Sequence, residues 1–182
     1  MANAFFNCKQ MKNIVAISGS TRKESSNHKL IDFFSGYVKD NCSVMMFDGI
    51  DTLPHFNPDL DNDNPPQQIT DFRNAVSNAD AVLFCTPEYV FSIPGSLKNA
   101  IEWCVSTTVF SQKPIGIITA SASGEKGHEE LKMIMKTLEA KFTDDATLLI
   151  SGIRGKINNE GAITDMETLE RFKAFAAVFV NS

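Results

Sequence analysis

The feature that most constrains the fold of this chain is the alternation of two hydrophobic patterns along its length. Short, continuously apolar runs, such as IVAI at residues 14–17, indicate strands that are buried on both faces. Between these runs, apolar residues recur at helical spacing, as Leu30, Phe33, Phe34 and Tyr37 do, which predicts amphipathic helices. The predicted strands span residues 13–18, 43–47, 81–86, 113–120 and 146–150, and the predicted helices span residues 27–39, 67–78, 95–105, 125–141 and 165–180.

Five strands that alternate with five helices predict repeated βα units, and hence a parallel sheet with helices on both faces. Because crossovers between parallel strands are right-handed, few strand orders are possible. We predict the flavodoxin-like order 2-1-3-4-5, which makes the chain an α/β three-layer sandwich. Ligands of such sheets bind beyond the carboxyl ends of the strands where the order reverses, here strands 1 and 3. Thr164, three residues before Glu167, is the predicted N-cap of the last helix.

Length and composition narrow the class of protein. A chain of 182 residues suits one domain, predicted at residues 11–182, and residues 1–10 are predicted to be a disordered extension. A net charge of −5 argues against a nucleic-acid partner. No apolar run is long enough to span a bilayer, and the first ten residues do not resemble a signal peptide. The 4 cysteines and 3 histidines lack metal-ligand spacing, so we predict a cytoplasmic protein with reduced thiols, no membrane partner and no metal site.

The loop after the first predicted strand, GSTRKESSN at residues 19–27, is rich in glycine and hydroxyl groups. Small residues let the backbone approach a ligand, and the following helix offers free N–H groups and the positive end of its dipole. With the charge of Arg22, these groups predict a cradle for a terminal phosphate monoester. The dinucleotide fingerprint and the P-loop pattern are both absent. An ordinary turn with a serine or asparagine cap is the alternative.

Two further loops are predicted to meet the first one at the same edge of the sheet. TPEYVFSIPG at residues 86–95 has its path fixed by two prolines and a glycine, and its exposed aromatic residues need a partner. A flat ring system that stacks there would supply one, although Phe91 and Ile93 also suit a small core or a subunit contact. The glycine-containing loop SASGEKG at residues 121–127 can wrap a ligand edge. Together the loops predict a mononucleotide with a large flat head, such as FMN.

Long stretches of the chain resemble the NADPH-dependent FMN reductase family. GSTRKESSNHKL resembles the segment G-S-x-R-x-x-S-x-N-x-x-L of that family, and PEYVFSIPGSLKNAIEW resembles its segment P-E-Y-N-x-x-x-P-G-x-L-K-N-A-I-D-W. The resemblance runs from Met11 to about the last helix. It implies a flavodoxin-like fold, bound FMN, and NADPH or NADH as the electron donor. The implied partners are a small-molecule acceptor (a flavin, quinone, azo compound or oxidised metal ion) and further copies of the chain in a homodimer or homotetramer.

By matching position, the resemblance also implies the residues that bind FMN. The loop after strand 1 would hold the phosphate through Ser20, Thr21, Arg22, Ser25, Ser26 and Asn27. The loops after strands 3 and 4 would line the ring through Pro87, Glu88, Tyr89, Val90, Ser121, Ser123 and Gly124. Val90 stands where the family motif has Asn, so a polar group beside the ring is absent. Backbone N–H groups of residues 88–90 would stabilise negative charge on the ring.

The resemblance implies NAD(P)H-driven reduction of the acceptor, and our hypothesis is a ping-pong oxidoreductase reaction, in which a hydride passes from NAD(P)H to FMN and the electrons then pass to the acceptor. The cofactor carries this chemistry, so no catalytic side chain is predicted. The main alternative is a flavodoxin-type electron-transfer protein that carries FMN without NAD(P)H turnover of its own. A family member that has lost FMN is a second alternative, which Val90 keeps open. A signalling receiver domain is set aside, because residues 18–19 and 86–87 lack the acidic groups that it needs.

Overall fold

The computed structural model describes residues 11–182, and the extension predicted at residues 1–10 lies outside the described residues. The described residues form a five-stranded parallel sheet with the order β2-β1-β3-β4-β5, which confirms the predicted order. The strands are β1 (Lys12–Ser18), β2 (Cys42–Phe47), β3 (Ala81–Thr86), β4 (Ile115–Ser121) and β5 (Thr147–Ser151). The α-helices are α1 (Ser26–Val38), α2 (Gln67–Asn78), α3 (Gly95–Glu102), α4 (Glu125–Thr137) and α5 (Met166–Val180). Short 3₁₀-helices span Pro58–Leu60, Asp144–Ala146 and Ile153–Gly155.

Helices cover both faces of the sheet, which explains why its strands are apolar without alternation. In β1, Val15 and Ile17 pack on the face covered by α2, α3 and α4. Ile14 and Ala16 point to the opposite face, which α1 and α5 cover. All six residues of β3, the central strand, are buried. Among the helices of residues 11–182, none has both the length and the apolar character that crossing a membrane requires.

The predicted cap of the last helix is wrong by one residue. The side chain of Asp165 is the N-cap of α5 and accepts a hydrogen bond of 2.9 Å from the backbone N–H of Thr168. Hydrogen bonding to the side chain of Thr168, and then to its backbone N–H, lowers the pKa of Asp165 below its usual range. The backbone N–H of Thr164 instead donates to the carbonyl oxygen of Lys156 at 2.8 Å, so Thr164 belongs to the preceding hairpin. The aspartate outcompetes the threonine because a carboxylate is the stronger acceptor for a helix N-terminus.

Two predicted helices end earlier than their hydrophobic pattern indicates. The helix α3 ends at Glu102 instead of residue 105, and α4 ends at Thr137 instead of residue 141. Beyond α4, Glu139 adopts a φ of 58°, and the N–H of Lys141 donates to the carbonyl oxygen of Lys113 at 2.9 Å. The chain has therefore already turned to run beside the start of β4. Sequence periodicity does not report such a long-range backbone contact.

Candidate functional site

A cleft of about 570 Å³ opens at the carboxyl edge of the sheet, where the strand order reverses between β1 and β3. Its volume lies within the range of small-molecule and cofactor sites. Four loops line it, those after β1, β3, β4 and β5. The lining residues are Ser20, Arg22, Ser25, Ser26, Asn27, Pro87, Glu88, Tyr89, Ala120, Ser121, Ala122, Gly152, Ile153 and Arg154.

The loop at residues 19–27, named here the cradle loop, begins with a close contact between strands. The N–H of Gly19 donates to the carbonyl oxygen of Cys85 at 2.9 Å. A Cβ atom at position 19 would lie only 2.7 Å from Cβ of Thr86, a fully buried residue of β3. Glycine is therefore required where the end of β1 meets the end of β3. This contact brings the loops after the two strands to the same side of the cleft.

Serine hydroxyls fix the shape of the cradle loop. The N–H of Ser20 donates to Oγ of Ser18 at 3.2 Å, and the N–H of Arg22 donates to Oγ of Ser20 at 3.4 Å. Ser25 is the N-cap of α1, since its hydroxyl accepts the N–H of His28 at 3.1 Å. The same hydroxyl lies 2.7 Å from Nδ1 of His28. The alternative prediction, that a serine of this loop caps the helix, is therefore confirmed for Ser25.

Other donors of the cradle loop are open toward the cleft. The backbone N–H groups of Ser26 and Asn27 have no hydrogen-bond acceptor in the described chain, and neither does the hydroxyl of Ser26. The guanidinium of Arg22 is exposed and likewise makes no hydrogen bond or ion pair within residues 11–182. These donors stand at the positive end of α1. Such an arrangement suits an anion with several oxygen atoms.

The side chain of Asn27 is committed to the protein instead of the cleft. Its Nδ2 donates to the carbonyl oxygen of Ala120 at 3.4 Å, and its Oδ1 accepts a hydrogen bond of 3.4 Å from Sγ of Cys85. Burial raises the pKa of the Cys85 thiol, which keeps its proton for this bond. Asn27 thus ties the first turn of α1 to β3 and β4, and only its backbone N–H is free for a ligand.

The loop after β3, residues 87–94, contains a two-residue hairpin. The N–H of Tyr89 donates to the carbonyl oxygen of Ser92 at 2.9 Å, and the N–H of Ser92 donates to the carbonyl oxygen of Tyr89 at 3.1 Å. The two residues at the tip, Val90 and Phe91, have φ angles of 52° and 59°. This is the type I′ pattern, which favours Asn and Gly because both central residues are left-handed. Val90 is 95% exposed and Phe91 77% exposed, so both lie outside the cleft.

Two carboxylates anchor this loop to α4, and we name it the clamped loop. The carboxylate of Glu88 accepts the N–H of Gly127 at 2.8 Å, within the first turn of α4. In return, Oε2 of Glu130 accepts the hydroxyl of Ser92 at 2.7 Å and the N–H of Ile93 at 2.9 Å. The loop is therefore held at both ends of its hairpin. The carboxylate of Glu88 and the hydroxyl of Ser92 thus position the backbone of the loop.

The structure brings nine of the thirteen residues predicted for the site to the cleft: Ser20, Arg22, Ser25, Ser26, Asn27, Pro87, Glu88, Tyr89 and Ser121. The other four lie elsewhere. Thr21 borders a neighbouring pocket, and Val90 stands at the exposed hairpin tip. The carbonyl oxygen of Ser123 accepts the hydroxyl of Ser151 at 2.7 Å. Gly124, with a φ of 94°, is the N-cap residue of α4 and faces Leu149.

Sequence reasoning missed the contribution of β5. Gly152, Ile153 and Arg154 follow this strand and line the cleft. The N–H of Gly152 donates to the carbonyl oxygen of Ala122 at 3.1 Å, which joins the loops after β4 and β5. The available signal was the strand order, because β5 ends at the same edge of the sheet as β4.

Comparisons with known proteins agree on one family. Residues 12–154 match the model of the NADPH-dependent FMN reductase family. An NAD(P)H:quinone oxidoreductase of Solanum tuberosum is 31% identical over 169 residues, which cover 88% of this chain and 87% of the relative. An NAD(P)H-dependent FMN reductase of Pseudomonas aeruginosa is 31% identical over 162 residues, 86% of this chain and 87% of the relative. The solved structure of FerB, a flavoenzyme NAD(P)H:(acceptor) oxidoreductase from Paracoccus denitrificans, has a TM-score of 0.77 and 27% identity, and the match covers 94% of this chain and 96% of FerB.

Proposed function

The chain belongs to the NADPH-dependent FMN reductase family, and from this premise we propose that it reduces a quinone or flavin with NADPH or NADH in a ping-pong sequence. Azo compounds and oxidised metal ions are further candidate acceptors. One observation carries the proposal: open anion donors and a rigidly held loop face the same cleft at the strand-order reversal. That combination suits a phosphorylated tail beside a flat ring.

The lining residues fit FMN. When bound, FMN supplies hydride acceptance from NAD(P)H and electron transfer to the acceptor. We assign the phosphate to the hydroxyls of Ser20 and Ser26, the N–H groups of Ser26 and Asn27, and the guanidinium of Arg22. We assign the ring to the backbone of residues 87–89 and to the small residues after β4. Ser25 and the amide of Asn27 contribute by holding the cradle loop in shape.

The clamped loop has two roles in this proposal. The N–H groups of Glu88 and Val90 make no hydrogen bond within the described part of the chain, whereas the N–H of Tyr89 is used by the hairpin. The N–H of Glu88, which lines the cleft, would therefore stabilise negative charge on the ring, whereas Val90 stands outside the cleft at the exposed hairpin tip. Tyr89, which is 56% exposed, offers an aromatic face to a ring or a substrate. The anchors to α4 keep these groups in place, so little conformational entropy is lost when the substrate binds.

Spectroscopy and steady-state kinetics test the proposal. The purified protein should show oxidised-flavin absorbance, or acquire it with added FMN, and should lose it when NAD(P)H is added without oxygen. Initial rates with a water-soluble quinone should give parallel double-reciprocal lines, as a ping-pong sequence requires, and turnover should need no partner protein. Intersecting lines would contradict the ping-pong order. Failure to bind FMN, or to oxidise NAD(P)H with it, would contradict the function itself.

We also propose a homodimer or homotetramer in the cytoplasm. Large apolar side chains are exposed on one side of the cleft, at Tyr89, Val90 and Phe91, and further exposed ones occur at Val105 and Met133. Side chains of this kind favour contact with another copy of the chain. The buried thiols of Cys85 and Cys104 suit a reducing compartment. Sedimentation velocity tests the assembly and cell fractionation tests the location; a monomer at micromolar concentration would contradict the first.

A further inference from the structure

Arg154 is a second guanidinium at the cleft. It lies on the 3₁₀-helix Ile153–Gly155, directly after β5, and it is exposed. Like Arg22, it lines the cleft and makes no hydrogen bond or ion pair with any residue in the range 11–182. Glu88, the acidic residue of the lining, is bound to the N–H of Gly127. The cleft therefore presents two uncommitted positive charges and a carboxylate that is already engaged.

Contacts at the end of β4 place the start of this segment beside α1. The side chain of Asn27 in α1 donates to the carbonyl oxygen of Ala120. The N–H of Gly152 donates to the carbonyl oxygen of Ala122. These two carbonyl groups are two residues apart, which is about 7 Å along a strand. The first turn of α1 and the residues that lead into Arg154 are thus neighbours along one strand end.

A second set of contacts holds the rest of the segment, residues 152–165, against α1. Nζ of Lys29, in the first turns of α1, donates to the carbonyl oxygen of Asn159 at 2.6 Å. Gly161 has a φ of 90°, and a Cβ atom there would lie 2.7 Å from Cβ of Lys29. Ile153, which is 5% exposed, anchors the segment in the core. Arg154 lines the same cleft as Arg22, Ser26 and Asn27, so it faces the N-terminus of α1, where the cradle loop presents its free donors.

Charge balance indicates what Arg154 binds. A phosphate monoester carries a charge of about −1.5 to −2 at neutral pH. Arg22 supplies one positive charge, and the N-terminus of α1 supplies about +0.5. We propose that Arg154 is a second cationic contact for the terminal phosphate of FMN and closes the cradle from the side of β5. This inference rests on the proposed FMN site and adds that the site discriminates FMN from riboflavin.

The test compares Arg154→Gln with Lys156→Gln, which removes a positive charge from the same segment without altering the lining of the cleft. Equilibrium dialysis of the full chain gives the Kd for FMN and for riboflavin. Loss of a hydrogen bond to a charged group corresponds to about a tenfold or larger change in Kd. We expect Arg154→Gln to raise the Kd for FMN by that factor and to leave the Kd for riboflavin within about twofold. Lys156→Gln should bind both flavins as the wild type does.

Three outcomes would overturn the inference. An unchanged Kd for FMN in Arg154→Gln, with tight binding by the wild type, overturns the inference and leaves the proposed function intact. A higher KM for NADPH with an unchanged Kd for FMN assigns Arg154 to the second substrate and also overturns it. A wild-type chain that binds no FMN overturns both the inference and the proposed function.

Discussion

The cradle loop and the clamped loop face the same cleft but use their polar groups in opposite ways. In the cradle loop, the N–H groups of Ser26 and Asn27 and the guanidinium of Arg22 remain open. In the clamped loop, the carboxylate of Glu88 and the hydroxyl of Ser92 are bound to α4 or its side chains. The comparison indicates that one loop offers free donors to a ligand, whereas the other offers a backbone that the protein holds in one position.

The two loops also differ in backbone strain, which is higher in the clamped loop. The cradle loop places glycine where strands meet closely, so its geometry costs little. The clamped loop places Val90 and Phe91 in left-handed conformations, each of which costs about 1–2 kcal/mol for an L-residue. Such strain persists where the surroundings over-determine the backbone. Two hydrogen bonds supply that constraint. Glu88 of the loop accepts from the first turn of α4, and Glu130 of α4 accepts from Ile93 of the loop.

The largest effect on stability is expected at the base of the cradle loop. Gly19→Ala would drive a Cβ atom into the buried side chain of Thr86 and should lower the free energy of unfolding by about 3 kcal/mol. The matched control is Gly36→Ala in α1, where a Cβ atom would have no atom of residues 11–182 within 4 Å. There we expect a gain of about 0.5–1 kcal/mol. Urea unfolding measures both variants, and equal stability of the two would refute the close contact between β1 and β3.

The next effect is on FMN affinity alone. Arg22→Ala should weaken FMN binding by about 1.5–3 kcal/mol, since a hydrogen bond to a charged group is lost. Binding of riboflavin, which lacks the phosphate, should be unchanged. Lys23→Ala is the control, because Lys23 borders the neighbouring pocket and not the cleft. Fluorescence titration with both flavins measures these affinities. Equal losses for FMN and riboflavin would remove Arg22 from the phosphate site.

The fold was predictable because its signal is distributed over many residues. A strand such as β3 is apolar throughout since both of its faces are covered, and that pattern survives an error at any one residue. The site is less accessible to sequence reasoning. Ser25 and Ser26 are identical in type, yet one caps α1 and the other keeps its hydroxyl open. Only the backbone path, which depends on long-range packing, distinguishes the two.

Two other features carried no local signal. Val90 and Phe91 do not resemble turn residues, so their hairpin was not predicted. Glu130, about 40 residues later in the chain, holds it in place by accepting hydrogen bonds from Ser92 and Ile93. Arg154 is a single charge in an ordinary-looking turn, and the role proposed for it depends on the return of residues 152–165 over α1. Both cases rest on contacts between residues that are distant in sequence.

A smaller effect on stability tests the anchors of the clamped loop. Glu130→Ala removes the acceptor for the hydroxyl of Ser92 and the N–H of Ile93 and should cost about 1.5–2 kcal/mol. Glu129→Ala is the control, because Glu129 is exposed and pairs with Lys126 at the surface, so little change is expected. Urea unfolding measures both. Equal stability of the two variants would mean that the carboxylate of Glu130 does not hold the loop.

The smallest effect should come from relieving strain at the hairpin tip. Val90→Asn places in the left-handed region a residue that tolerates it and should raise the free energy of unfolding by about 1 kcal/mol. Val90→Ala keeps a Cβ atom at the same φ and should gain less than half as much. Because Val90 is 95% exposed and lies outside the cleft, the Kd for FMN should not change in either variant. A stabilised Val90→Asn with unchanged FMN affinity would confirm that the anchors hold strain in the turn separately from flavin binding. If Val90→Asn is no more stable than the wild type, the turn is unstrained. The two loops would then differ in their hydrogen bonds but not in backbone strain.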